Sequence, residues 1–395
     1  MVSFKFSIPT EIFFGVGQLN NVGEIVKRYG KKVLIVTDKI IRELGYLDTL
    51  ISNLNKKGFI VTYFSDASGE PSSQHIDSFC KKIMDLPEVV IGLGGGSCID
   101  FAKGVAVKLT HKNSLWEYVN RTDFIDLIPT ECTLPVVAIP TTSGTGSEVT
   151  PYCVIKNDIS HQKAAIISNY IVPKTAIVDP ELTKTMPSDL TALTGLDAFA
   201  HAFESLINVK SNYMTQMFSI EAINYILNYL PLAIRDGTNL DARIYMSYSS
   251  LLAGMSISHV GTTVAHAMAQ VLGAKCSLSH GKTVALCLLP VIRDIKGEEV
   301  EKKIYELGRR ILHCSESVDN EKVVTKTISK LKGFLVDLNS YYRGNIIVNE
   351  STINIMTEDV FSYMKRPLDN HPEILNKKAI YNYFNEIVRG DNNVK

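Results

Sequence analysis

Five short apolar runs in the first half of the chain restrict its fold more than any other feature. Residues 31–38 (KKVLIVTD), 59–65 (FIVTYFS), 89–93 (VVIGL), 136–140 (VVAIP) and 176–178 (AIV) are mostly continuous rather than alternating. Such runs suit strands covered on both faces, as in a parallel sheet. Helical stretches lie between them, at 45–57 and 99–109. Strand–helix alternation implies right-handed crossovers and a doubly wound sheet. After Asp179-Pro180 the texture changes, and helical patterns follow at 190–207, 213–230, 242–256, 263–272, 283–294 and 298–312. Ser188-Asp189 before an apolar run reads as a helix start. The expected division is an α/β domain over 1–187 and an all-helical domain over 188–395.

Composition narrows the function classes. The 395 residues carry 41 Lys+Arg against 41 Asp+Glu, so no basic footprint points to nucleic acid or an anionic membrane surface. Residues 244–274 contain no Asp, Glu, Lys or Arg, long enough for a membrane span. Ser247, Ser249, Ser250, Ser256, Ser258, Thr262, Thr263, His259, His266 and Gln270 punctuate that window, which favours buried, functional helices. The N-terminal stretch has no apolar run of signal-peptide length. Seven scattered cysteines without CxxC pairs suit reduced thiols and a cytoplasmic protein.

Two small-residue loops follow strand ends. The run 89–93 enters GGGSCIDFAK, where Gly95, Gly96 and Ser97 occupy a strand-to-helix turn, with Asp100 and Lys103 just beyond. Glycines let backbone approach a phosphate, and a helix start offers unpaired N–H groups. Ser97 stands where the usual dinucleotide fingerprint has its last Gly, so a plain tight turn is the alternative. The second loop, PTTSGTGSEVT, brings Thr141, Thr142 and Thr145 to the end of the next strand. Asp38 ends VLIVTD, where a carboxylate can bind a ribose diol and repel a 2′-phosphate, favouring NAD over NADP. A helix N-cap is its other reading.

In TGLDAFAHAFES, Asp197 and His201 stand four apart on one helix face, with Glu204 further along the stripe. His266 and His280 follow. One carboxylate and three imidazoles suit Fe²⁺, Zn²⁺ or another divalent metal, and apolar neighbours leave a buried carboxylate in need of a cation. Hydrogen-bonded core histidines are the competing reading.

GGGSCIDFAK, PTTSGTGSEVT, AIVDPELTKTMP, TGLDAFAHAFES and VAHAMAQVLGA with SHGKTVALCLLP together resemble the iron-dependent (group III) alcohol dehydrogenase family. The resemblance implies an N-terminal dinucleotide-binding domain, an all-α metal-binding domain, a dehydroquinate synthase-like architecture and catalysis in a cleft. It implies that Asp197, His201, His266 and His280 hold Fe²⁺ or another divalent ion. Gly95, Gly96, Ser97, Asp100, Thr141, Thr142 and Thr145 would line an NAD site, with Lys163, Leu182 and Asp38 at further cofactor positions. Two residues depart from the family pattern: Gln270 replaces a His, and His259 stands where relatives often have Asn. Both are candidates near the catalytic step.

The expected reaction is hydride transfer between NAD(H) and a primary alcohol or its aldehyde, with the metal as Lewis acid on the substrate oxygen. A homodimer or higher homo-oligomer is expected, without nucleic acid or membrane partners. Glycerol dehydrogenase-like and dehydroquinate synthase-like enzymes are the rivals within the superfamily, and a non-catalytic sensor is the rival outside it. Lys275, Lys282 and Arg293 raise a further alternative, a reductase of an aldehyde bearing a carboxylate or phosphonate.

Overall fold

The run KVLIV forms strand Lys32–Val36, and its side chains divide between two faces. Val33 and Ile35 pack with Leu47, Leu50 and Leu54. Leu34 and Val36 pack with Phe101 and Val105. Both faces are covered, which is why the run shows no alternation. The same split recurs in the neighbouring strand, where Val89 and Ile91 join one cluster and Val90 the other.

The computed structural model describes residues 3–120, 127–160, 162–314, 319–342, 344 and 346–389. Its strands are β1 (Glu11–Phe14), β2 (Lys32–Val36), β3 (Ile60–Phe64), β4 (Val89–Gly94), β5 (Val136–Pro140), β6 (Tyr152–Lys156), β7 (Lys163–Ile167) and β8 (Thr175–Val178). A six-stranded sheet has the order β1-β8-β5-β4-β2-β3, with every pairing parallel. The doubly wound expectation therefore holds. From β2 the chain winds one way to β3, and from β4 the other way to β5 and β8. A ligand crevice in such sheets lies at the carboxyl ends where the order reverses. Register aligns those ends, pairing Val36 with Gly92 and Gly94 with Pro140.

Two strand features lie outside the expected set. Strand β1 is an edge strand whose Glu11 is exposed and ion-paired to Arg28, so it lacks a continuous apolar signature. Strands β6 and β7 form an antiparallel ribbon in which only alternate residues such as Cys153 and Ile155 are buried.

The chain groups into two units, Ser7–Met186 with Asp236–Gly254, and Met1–Phe6 with Pro187–Arg235 and Met255–Lys395. The second is helical. Its helix Ser188–Ile207 is buried almost without interruption from Gly195 onward and packs against Tyr213–Arg235 and His280–Asp294. The uncharged stretch forms helix Leu240–Val260 and most of helix Val264–Cys276. Between them, the Asn208 amide donates to the Val260 and Gly261 carbonyls at 2.9 and 3.2 Å. The Asn370 amide donates to Val260 and Thr262 at 3.1 and 3.0 Å. Among the described residues only Tyr213–Arg235 is long and apolar enough to cross a membrane by composition, and it is a helix outside the uncharged window.

Candidate metal centre and nucleotide loops

Helix Ser188–Ile207 carries Asp197 and His201 one turn apart on its buried face. His266 sits in the first turn of helix Val264–Cys276, and His280 opens helix His280–Asp294. That last helix reaches the first because its second residue is Gly281, where a Cβ would stand 2.6 Å from the Leu193 carbonyl oxygen. Three imidazole nitrogens converge on one carboxylate oxygen. Asp197 Oδ1 lies 3.5 Å from His266 Nε2, 3.6 Å from His280 Nε2 and 3.7 Å from His201 Nε2. The His201 and His266 rings stack at 4.6 Å.

These separations exceed a normal hydrogen bond. Asp197 Oδ1 and His266 Nε2 are buried without a hydrogen-bond partner among the described residues. Burying an unpaired carboxylate oxygen is costly, and a bound cation removes that cost. An N₃O donor set suits zinc or iron. The residues therefore fit a divalent metal. Asp197, His201 and His266 also stand out together as a buried ligand cluster, with His280 at the more open side. Burial pushes the Asp197 carboxyl up, yet His201, His280 and His266 outweigh it and hold it well below the usual range.

Glu204 completes the centre. It is fully buried, and its Oε2 accepts from His266 Nδ1. Its Oε1 accepts from the Thr263 N–H at 3.0 Å, the Thr263 hydroxyl at 2.6 Å, the Ala265 N–H at 2.9 Å and the His266 N–H at 3.3 Å. One carboxylate thus caps the helix that carries His266 and, by engaging Nδ1, leaves Nε2 as the nitrogen that could ligate an ion. Burial lowers the His266 pKa, but Glu204 and Asp197 prevail and raise it to about 10. In the sequence Glu204 shares the stripe of Asp197 and His201, with nothing to mark its backbone partners. The i, i+4, i+7 spacing of Asp197, His201 and Glu204 was the available signal.

The two family departures lie elsewhere in this unit. Gln270 is half-buried one turn beyond His266. His259 stacks on Phe6 at 4.0 Å, and its Nδ1 is 2.8 Å from the Met255 carbonyl oxygen. The cations considered for an anionic tail are partly neutralised. Lys275 pairs with Asp359 at 3.0 Å, and Arg293 pairs with Asp294 and Glu386, each at 2.6 Å.

In the α/β unit the two small-residue loops touch. The Thr141 N–H donates to the Gly94 carbonyl at 3.0 Å. Gly94 has φ +146°, and a Cβ there would meet Cys98 Sγ at 2.6 Å. A Cβ on Gly96 would stand 2.6 Å from Thr145 Cγ2, and one on Gly95 would stand 3.4 Å from Thr142 Cγ2. Gly95, Gly96, Ser97, Thr142 and Thr145 form the partly open surface of this junction, whereas Thr141 is buried. Asp38 is the helix N-cap of its alternative reading. Its Oδ1 caps the following short helix through the Ile41 N–H at 2.8 Å, while Oδ2 accepts from Cys98 Sγ at 3.4 Å beside Gly94.

The other three expected cofactor contacts have the following protein partners. Asp100 is buried, its oxygens engaged by the Ser147 hydroxyl at 2.5 Å and the Val154 N–H at 2.9 Å. Its side chain is thus held by the second small-residue loop and by β6. Leu182 belongs to the apolar cluster with Ile41, Leu93 and Ile139. Lys163, on β7, is ion-paired with Glu70 at 2.5 Å.

Comparison with known proteins identifies the family. Residues 9–180 match the family described as iron-containing alcohol dehydrogenase, and residues 191–388 match the C-terminal part of the Fe-containing alcohol dehydrogenase family. Long-chain-alcohol dehydrogenase 1 of Geobacillus thermodenitrificans is 32% identical over 371 residues, covering 93% of this chain and 92% of that protein. The crystal structure of an archaeal halo-thermophilic alcohol dehydrogenase from a Red Sea brine pool superposes with TM-score 0.90 at 32% identity, covering 98% and 99% of the two chains. Sulfoacetaldehyde reductase from Bifidobacterium kashiwanohense, solved in complex with NAD⁺, gives TM-score 0.85 at 26% identity, covering 99% and 100%. The chain belongs to the iron-containing alcohol dehydrogenase family.

Proposed function

We propose that this chain interconverts a primary alcohol and its aldehyde with NAD(H), using a divalent ion, Fe²⁺ or Zn²⁺, held by Asp197, His201, His266 and His280. Family membership itself makes it a metal-dependent alcohol dehydrogenase, an oxidoreductase acting on CH–OH groups. The observation that carries the metal assignment is the buried, unpartnered Asp197 Oδ1 with three histidine nitrogens around it.

When bound, the ion supplies Lewis acidity toward the substrate oxygen, and NAD(H) donates or accepts the hydride. The chain's own residues do the rest. Asp197 offers an anionic oxygen that offsets cationic charge, and Glu204 holds His266 with Nε2 available. The amides of residues 95–97, at the start of helix Gly96–Lys108, suit a pyrophosphate. Thr142 and Thr145 stand beside them.

Asp38 supports NAD over NADP, since its carboxylate stands at the end of β2 beside Gly94. The NAD⁺ complex of the sulfoacetaldehyde reductase relative supports the same cofactor. Gln270 cannot relay a proton at neutral pH, and Nδ1 of His259 is committed to the Met255 carbonyl. Proton transfer through water or the ribose hydroxyls is the reading these contacts favour. The seven cysteines are all free thiols, which supports a cytoplasmic location.

The test is NADH and NADPH oxidation over a panel of aldehydes, with apo-protein reloaded separately with Fe²⁺, Zn²⁺ and Mn²⁺. Turnover of an uncharged aldehyde with NADH after metal addition is expected. Equal rates with NADPH, or turnover confined to anionic aldehydes, would overturn the cofactor or substrate part of the reading.

A further inference from the structure

Helix Gly96–Lys108 follows the glycine turn, and its Asp100 and Lys103 point to one side, three residues apart. Lys103 has no exposed surface. Its Nζ donates to the Tyr152 carbonyl at 2.6 Å, the Ser147 hydroxyl at 2.9 Å and the Thr150 carbonyl at 3.1 Å. An ammonium has three donors and no acceptor, so three oxygen acceptors satisfy it as a cation. Asp100 Oδ1 lies 3.6 Å from that nitrogen and accepts from the same Ser147 hydroxyl, while Oδ2 holds the Val154 N–H. Two side chains from one helix therefore fasten the second loop at residues 147, 150, 152 and 154.

The loop's other end is fastened by the Thr141 N–H on the Gly94 carbonyl. Residues 142–145, with half-open Thr142 and Thr145, form the short span between these anchors. Thr145 is tied to the second anchor directly, its hydroxyl accepting from the Ser147 N–H at 3.2 Å. A buried ion pair is seldom the best way to gain stability, because apolar residues of like volume often do as well. What these groups uniquely supply is direction. They reach backbone and hydroxyl oxygens that an apolar side chain cannot hold.

We infer that Lys103 and Asp100 are positioning residues for the nucleotide site: they set Thr142 and Thr145 at the correct distance from Gly95 and Gly96. This rests on reading the two loops as the NAD site. It gives the Asp and Lys of GGGSCIDFAK a role that does not touch the cofactor. Among the described residues Glu148 and Cys153 are further titratable groups beside this pair, and both are buried.

The experiment uses the full-length, metal-loaded protein and three variants: Lys103→Met, the double variant Asp100→Asn/Lys103→Met, and Ser147→Ala. The double variant leaves neither partner as an unpaired charge, and Ser147→Ala removes only the shared hydroxyl, so the test survives if Lys103→Met does not fold. NADH affinity is read by fluorescence titration, loop order by amide hydrogen exchange across residues 142–147, and metal content and melting temperature alongside. The double variant should melt near the wild type and hold its metal, yet bind NADH about tenfold more weakly, the equivalent of one lost hydrogen bond. Its KM for NADH should rise with little change in kcat, and exchange at 142–147 should quicken. Wild-type NADH affinity and exchange in both the double variant and Ser147→Ala would overturn the inference. Failure of the wild type to bind NADH at all would instead overturn the nucleotide reading beneath it.

Discussion

Glu204 Oε2 accepts the Nδ1 proton of His266, while Glu204 Oε1 gathers the N–H groups at the start of the helix that carries His266. One buried side chain thereby governs a ligand's tautomer and the placement of its helix. Glu204→Ala strands three backbone donors in a dry interior and should destabilise the protein by roughly 3–5 kcal/mol. Glu204→Gln keeps the shape and some of the bonds. It should fold, yet lose metal affinity by about 10–100-fold, the usual cost of disturbing such a partner. Competition titration with a chromophoric chelator, beside thermal melting, separates the two effects.

Asp197 offers the reverse test. In the metal-free protein three histidines hold its carboxylate ionised, so Asp197→Asn should lower apo stability at neutral pH. Metal should then cease to stabilise the fold. A ligand that binds only the native state adds about 2.7 kcal/mol at a hundredfold excess over its Kd. Wild type should show a metal-dependent rise in melting temperature, and the variant should show none.

The relation of sequence to structure differs between these elements. The strands were legible because runs such as KVLIV must be apolar on both faces, and the pairing of Asp197 with His201 because i, i+4 spacing fixes a helical face. Glu204's work was hidden because most of its partners are backbone amides, which no residue type marks. The anchoring contacts of Asp100 were hidden as well. That residue follows a glycine turn closely, but its partners Ser147 and Val154 come from the next loop and strand. Strand β1 escaped notice because half of its covering is missing at the sheet edge.

Gly96 packs against Thr145 of the second loop with no room for a side chain. An alanine there would bring its Cβ to 2.6 Å from Thr145 Cγ2, well inside contact distance. Small overpacking of this kind costs about 1–3 kcal/mol and is relieved by moving the loop. Gly96→Ala should therefore raise KM for NADH at least about tenfold, since 1.4 kcal/mol is a factor of ten. Steady-state kinetics at saturating aldehyde would measure it.

Asp38 combines a helix cap with a charge beside the glycine turn, and the two can be separated. Asp38→Ser retains a capping oxygen for the Ile41 N–H and removes the charge. Melting temperature should hold, while the preference for NADH over NADPH should narrow. Ratios of kcat/KM for the two cofactors would report it.

Glu148 gives the fold a pH dependence. Burial dominates its environment and raises its carboxyl from 4.5 to about 7. A raised acid favours the native state fully below its unfolded pKa, and the benefit is lost as pH rises through the folded value. Between about pH 4.5 and pH 7 the native state should lose about 3 kcal/mol to this group. Glu148→Gln removes the titration. The variant's melting temperature, relative to wild type, should climb between about pH 5 and about pH 8 and then level off.

The proposed ligation of the ion on which catalysis depends rests on Asp197, His201, His266 and His280. Its most direct test is titration of apo-protein with Fe²⁺ under anaerobic conditions, following NADH oxidation by an aldehyde and bound metal in the same samples. Activity should rise linearly and stop at one ion per chain in wild type, with neither binding nor activity in His266→Ala. Full activity in metal-free wild type, or stoichiometric binding and turnover in His266→Ala, would contradict the assignment.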